Sequence, residues 1–128
     1  VMKALKYMGH QPELASTPFA LQHANAIIFP GQGASPAAMV ALRKRSLLEP
    51  IRQAVLSGRP FLGICLGLQL LMNSSEEGDC ECLGLVSGRV RRFPNVVKIP
   101  HMGWNQVEIN LPNSRHLNTN SATFVPTG

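Results

Sequence analysis

Cys65 lies between two glycines in the stretch Pro-Phe-Leu-Gly-Ile-Cys-Leu-Gly-Leu-Gln-Leu-Leu-Met, residues 60–72. A thiol in that setting is equipped to attack a carbonyl carbon. Phe61 to Ile64 is a short apolar run of the kind that buried strands use, and Leu66 to Met72 reads as the first turns of a helix. Cys65 therefore falls at a strand-to-helix corner. Gly63 and Gly67, each two residues away, remove Cβ atoms that would clash in so tight a turn, as in the Gly-x-Ser-x-Gly elbow of hydrolases. Unpaired N–H groups at the helix start favour thiolate over thiol. The N–H of Leu66 is placed to receive the oxyanion of a tetrahedral intermediate. Against this stands the ordinary behaviour of free cysteine, which usually packs as a small buried hydrophobe.

Two further groups fall near the same chemistry. Ala26 to Phe29 is an apolar strand that runs into Pro30-Gly31-Gln32-Gly33, where paired glycines let a backbone N–H point at a ligand close to the chain. The same four residues also fit a plain strand-exit turn. They do not form a phosphate loop, lacking the later glycine of the dinucleotide fingerprint and any Gly-Lys-Ser. Gln69 follows Cys65 by four residues, so one helical turn puts both on one face. No metal site is expected: Cys80-Glu81-Cys82 lacks the usual two-residue spacer, and His10, His23, His101 and His116 form no nearby second pair. Nor do the three cysteines make a disulfide framework, being odd in number with two almost adjacent.

The elements around these residues alternate as an α/β fold requires, which implies parallel pairing. Val1, Ala4, Leu5 and Met8 share helical spacing, and Gly9 follows as a stop. Glu13 to Ala15 reads as a short strand broken by Ser16-Thr17-Pro18. Ser35-Pro36 starts a helix through Met39 and Leu42. Another helix begins at Leu47 or Glu49, buries Ile51, Ala54 and Val55, and ends at Gly58. Asn73 to Asp79 is a polar loop in which Glu76 and Glu77 face water. Leu85 to Arg92 and Trp104 to Leu111 are expected to extend the sheet in antiparallel fashion. Pro112 to Asn120 is a loop, and Ala122 to Val125 begins a last strand. Residues 1–128 are read as a single domain, in keeping with the length.

Composition narrows the partners. Hydrophobic content of 45% and charged content of 15% are those of a globular protein. No apolar run reaches the ~20 residues of a membrane span, and the opening residues lack signal-peptide order. The expectation is a soluble, cytoplasmic protein. Net charge is +5, concentrated at Arg43-Lys44-Arg45 and around Arg89, Arg91, Arg92 and Lys98. Nucleic acid is not the expected partner, since one Trp and one Tyr leave little to stack on bases. A solvated basic face, or an acidic protein partner, accounts for the clusters.

The chain resembles the class I glutamine amidotransferases, and within them the glutaminase subunits of imidazole glycerol phosphate synthases in histidine biosynthesis. The match runs from about Val1 to Val125. Gly63-Ile-Cys-Leu-Gly-Leu-Gln69 is similar to the family's nucleophile motif, Pro30-Gly31-Gln32-Gly33 to its oxyanion loop, and Pro100-His-Met-Gly-Trp-Asn105 to a signature of the one subfamily. Ser74-Ser-Glu-Glu-Gly78 is similar as well. The resemblance implies a flavodoxin-like fold, three layers about an open, mostly parallel sheet. It implies that Cys65 attacks the side-chain amide of glutamine, releasing ammonia and leaving a thioester for water to hydrolyse. Leu66 and Gln32 would offer oxyanion N–H groups, and Gly33 and Gln69 would help hold glutamine. No cofactor is implied. The partner implied is a cyclase with a (β/α)8 barrel, docked near His101 to Asn105, which receives the ammonia.

The departures are equally specific. The family completes its triad with a His followed two residues later by Glu, and no His-x-Glu occurs here. The first strand of the family, with its Gly-Asn turn, is also absent, and Pro126-Thr-Gly replaces the expected continuation toward that His. The expectation is therefore a chain truncated at both ends, with little or no activity alone. The alternatives are another class I amidotransferase or cysteine hydrolase that shares the elbow, and a non-catalytic partner-binding remnant.

Overall fold

The computed structural model describes residues 1–96, 103–104, 107–109 and 124–126. Val1–Arg92 and Phe93–Gly128 are two compact units. In the first, α1 (Met2–Tyr7) forms at the predicted spacing and ends where Gly9 takes φ 84°. It buries none of its residues.

Residues 13–15 are not a strand. A strand needs a ladder partner for its N–H and C=O groups, and among the described residues none runs beside them. The Thr17-Pro18 pair, expected only to break structure, instead starts a helix, α2 (Pro18–His23). The Thr17 hydroxyl accepts the Ala20 N–H at 3.3 Å and proline occupies the first turn, where its missing N–H costs nothing.

Next come β1 (Ile27–Gly31), α3 (Ser35–Lys44), α4 (Leu48–Leu56) and β2 (Phe61–Cys65), a strand–helix–helix–strand crossover. β1 and β2 pair in parallel, as the alternation predicts, with Ile27 opposite Phe61 and Gly31 opposite Cys65. Ile27 joins Met39 of α3 and Ile51 and Ala54 of α4 in the core, and Phe29 meets Phe61 edge-on at 5.9 Å. The opposite face differs from expectation. Leu62 and Ile64 are 46% and 38% exposed, so β2 is buried on one side only. Alternate residues of a strand point to opposite faces, and the core cluster lies against one of them.

α5 (Leu66–Gln69) follows β2 directly, and a separate three-stranded sheet comes after it. β3 (Ser74–Ser75) lies between β4 (Cys80–Glu81) and β5 (Arg89–Val90). β4 runs antiparallel to β3 but β5 runs parallel to it, which corrects the expected antiparallel extension at Leu85 to Arg92. Asn73 fixes that return: it exchanges hydrogen bonds with Gly88, N–H to carbonyl at 3.0 Å and Oδ1 from N–H at 2.8 Å. In the second unit, β6 (Val107–Ile109) pairs antiparallel with β7 (Phe124–Pro126), Glu108 opposite Val125. The expected loop from Pro112 to Asn120 lies outside the described residues.

The first unit is locked at one corner by glycine. A Cβ on Gly67 would stand 1.7 Å from the Phe29 carbonyl oxygen, and one on Gly63 would stand 2.8 Å from Leu68 Cα. Both obstacles are backbone, which cannot swing aside. Gly33, by contrast, has nothing within 4 Å and only its φ of +92° to protect. Gly67→Ala is expected to destabilise by about 3 kcal/mol or more and Gly33→Ala by about 1 kcal/mol, read from urea midpoints. Equal losses would show that conformation, not contact, sets the requirement.

Candidate active site

Cys65 ends β2 with φ 55° and ψ −120°, and its side chain is exposed. Those angles belong to the turn position that glycine normally fills, and a residue with a Cβ is held there at a cost of about 1–3 kcal/mol. The corner is forced from beneath. Leu66 is 2% exposed and anchors the turn in the core, while Gly67 sits against β1. The thiol is thereby lifted off the protein rather than packed into it.

The parallel register brings the second candidate alongside. Gly31 is opposite Cys65, and a Cβ on Gly31 would lie 2.9 Å from Leu66 Cβ and 3.0 Å from Gly67 N. Gln32 and Gly33 follow at once, both exposed, so the loop and the thiol sit together at the carboxyl ends of two adjacent parallel strands. Open α/β sheets place their ligand crevices at that end. Behind the loop is an apolar cleft of about 230 Å³, walled by Phe29, Ala38, Leu42 and Leu70 with Gln32 and Leu66 at its border. Gln69 ends α5 half-buried, one turn after Cys65. α5 has only four residues, so its dipole is smaller than Leu66 to Met72 would give as one helix, and the local N–H groups carry what anion attraction there is.

Among the described residues no histidine bonds Cys65: His23 Nδ1 pairs with the Phe19 carbonyl at 2.9 Å. His101 and His116 lie outside the described residues. The other two thiols are placed differently. Cys82 is buried, and burial, reinforced by the neighbouring Cys80, pushes its thiol above the usual range. Neither Cys80 nor Cys82 is in a disulfide.

Sequence reasoning missed Glu76 and Glu77 here. Both are exposed as expected, but neither merely faces water. Glu76 Oε2 accepts the Arg92 N–H at 2.9 Å. Glu77 Oε2 accepts the N–H and the hydroxyl of Ser35, at 2.8 and 3.1 Å. Ser35 itself is fully buried. No spacing rule links positions so far apart; the one local sign was Ala34, a poor helix cap, in front of a helix that needs one.

Residues 2–98 match the family described as the CobB/CobQ-like glutamine amidotransferase domain. The chain is 50% identical over 112 residues to the imidazole glycerol phosphate synthase subunit HisH of Nostoc punctiforme, covering 85% of this chain and 53% of that protein. It is 50% identical over 113 residues to the subunit of the same name in Synechococcus elongatus, covering 86% and 52%. The chain thus spans about half the length of the curated relatives it matches. A solved structure described as a glutamine amidotransferase superposes with a TM-score of 0.65 over 84% of this chain and 56% of its own, at 22% identity, which shows likeness of fold. No helix among the described residues is long and apolar enough to cross a membrane.

The placement of Cys65 and Cys82 sets three expectations. Cys65→Gly is expected to be more stable than Cys65→Ala by about 1 kcal/mol, although both delete the thiol, because only alanine keeps a Cβ at positive φ. Chemical denaturation of the two variants checks it. Iodoacetamide at pH 8 is expected to modify Cys65 well before Cys82, as peptide mapping by mass spectrometry would reveal. Because the Cys82 thiol titrates higher folded than unfolded, its contribution to stability is complete below the unfolded thiol range, about pH 8.5, and is lost as pH rises through the folded value.

Proposed function

We propose that this chain, which belongs to the glutamine amidotransferase domain family, is the nucleophile-bearing part of a cytoplasmic glutaminase that serves imidazole glycerol phosphate synthesis in histidine biosynthesis. The observation that carries the reading is the pairing of Gly31 with a Cys65 held at φ 55°. It brings a strained, exposed thiol and a glycine loop together at one end of a parallel sheet. The 50% identity to named synthase subunits supports the choice of pathway.

On this reading Cys65 Sγ attacks the side-chain amide carbon of glutamine. The carbonyl π electrons move onto oxygen, and the N–H groups of Leu66 and Gln32 hold that oxyanion. Gly33 and Gln69 help keep the substrate in place. Collapse breaks the carbon–nitrogen bond, the nitrogen leaves as ammonia with the proton taken from the thiol, and a thioester remains. Water cleaves it to glutamate and regenerates the thiol. The proton needs a carrier between sulfur and nitrogen, and the His-x-Glu pair that the family uses is not in this sequence. Among the described residues no histidine bonds Cys65 to act as that carrier. Ammonia released beside a docked cyclase barrel escapes protonation in bulk solvent, which gives the reaction a reason to depend on that partner.

Glutamine hydrolysis by the protein that contains this chain, with and without an added cyclase subunit, tests the reading. Cys65→Ala is expected to lower ammonia release at least about 10³-fold, and the 128-residue chain alone is expected to release none above background, since losing one member of a triad costs several orders of magnitude. Undiminished hydrolysis by Cys65→Ala would end the proposal.

A further inference from the structure

Two thiols take no part in the chemistry assigned to Cys65, and the fold sets them side by side. Cys80 and Cys82 flank Glu81 on an extended segment that opens with β4, where Cys80 has φ −97° and ψ 128°. Alternate residues of an extended chain point the same way. Burial follows that rule: Glu81 is exposed, Cys82 is a buried member of the apolar core, and Cys80 packs half-buried against the same cluster. Each S–H turns back on this short segment, Cys80 donating to the Glu81 carbonyl at 3.2 Å and Cys82 to the Cys80 carbonyl at 3.7 Å. Burial pushes the Cys82 thiol up, and the charge and hydrogen bond of Cys80 beside it add to the effect.

Residues two apart in a strand have Cα atoms about 6.6 Å apart, at the long end of the ~4.4–6.8 Å that a disulfide spans. Their Cβ atoms must also close to about 4 Å, so the bond forms only if the segment pinches. A disulfide made against such strain is readily reduced, as labile and regulatory ones are. The backbone that pinches is tied to the chain leaving α5. Cys82 N–H donates to the Asn73 carbonyl at 3.0 Å, and Leu83 and Gly84 donate to Leu70 and Met72, each at 2.8 Å. Cys82 is the one of these three donors that belongs to the pair.

We propose that Cys80 and Cys82 are a reversible dithiol–disulfide site for low-molecular-weight disulfides such as oxidised glutathione, and that its closure withdraws the Cys82 N–H from Asn73. The half-buried thiol reacts first. Cys80 sulfur attacks one sulfur of oxidised glutathione, the S–S bond breaks, and one reduced glutathione leaves with the proton that Cys80 gives up. Cys82 sulfur then attacks Cys80 sulfur in the mixed disulfide, and a second reduced glutathione leaves with the Cys82 proton. The protein loses two electrons and two protons, and one glutathione disulfide becomes two thiols. The site stands independently of the glutaminase reading.

The position of Glu81 makes the bond directly visible. The full protein that contains this chain is treated with oxidised glutathione, its remaining thiols are blocked at low pH, and it is denatured and cut after glutamate without reduction. Cleavage after Glu77 and Glu81 puts Cys80 in Gly78-Asp79-Cys80-Glu81 and Cys82 in the following peptide, so a disulfide between them keeps the two peptides joined. The joined pair is the expected product, and reduced glutathione is expected to separate it. Cys82→Ser is expected to stop at a mixed disulfide on Cys80. In Cys80→Ser, Cys82 is expected to gain glutathione at least tenfold more slowly than Cys80 does in Cys82→Ser. Amide hydrogen exchange at Cys82 is expected to be at least tenfold faster in the oxidised protein. A wild-type protein that stops at the mixed disulfide, that joins Cys80 or Cys82 to Cys65 instead, or whose joined pair resists reduced glutathione overturns the site. Equal rates at the two thiols overturn the order of attack, and unchanged exchange overturns the release from Asn73. The wild-type map and the exchange measurement need no substitution, so they decide the matter even where a variant fails to fold.

Discussion

The approach of Gly67 to the carbonyl of Phe29 is the contact on which the rest of the site depends. It brings the first turn of α5 down onto the backbone of the neighbouring strand, closer than any side chain would permit. Once that turn is seated, Leu66 is driven into the core and Gly31 is trapped against it. Cys65, caught between a strand in register and a helix already docked, has no relaxed conformation left and takes positive φ. The strain at the thiol is therefore a product of packing around it. It persists because interiors are dense enough to over-determine one residue.

Little of this stability is electrostatic. Among the described residues the ion pair between Arg89 and Asp79 spans 2.9 Å with both side chains well exposed, and such pairs contribute at most about 1 kcal/mol. The basic run at Arg43 to Arg45 has a simpler local role. Arg43 and Lys44 occupy the last turn of α3, where positive charge complements the carbonyl end of the helix. The cohesion of the first unit comes from one apolar cluster that α3, α4, α5 and β1 all enter.

The parts legible in the sequence were those that a short window of residues determines. The elbow at Cys65, the parallel pairing, α3 with its Ser35-Pro36 start, and α4 stopping just before Gly58 all came from periodicity and turn chemistry within a dozen positions. The parts that escaped depend on two distant segments meeting. Glu77 looks like any polar loop residue until Ser35 is brought to it, and β5 has no intrinsic direction until Asn73 clamps Gly88. Residues 13–15 carry strand-like character without a neighbour to express it. The exposure of Leu62 and Ile64 has the same origin, since an apolar run states which residues seek cover and not whether cover is present on both faces. α2 was a different kind of error: Thr17-Pro18 is both a break and a beginning, and only the Ala20 N–H on the threonine hydroxyl decides which.

The pairing of Ile27 with Phe61 also constrains how the chain finds its structure. The two strands are joined through residues 32–60, so their ladder cannot form until a long loop has closed and its entropy has been surrendered. α3 and α4 lie within that loop, and helices close on sub-microsecond to microsecond times, far ahead of non-local strand pairing. The thiol elbow belongs to the slow step, because its conformation exists only when both strands and α5 are in place. Nascent chains would thus carry Cys65 as an unexceptional thiol until the final docking event, and its exposed, positive-φ geometry would arrive all at once with the completed fold.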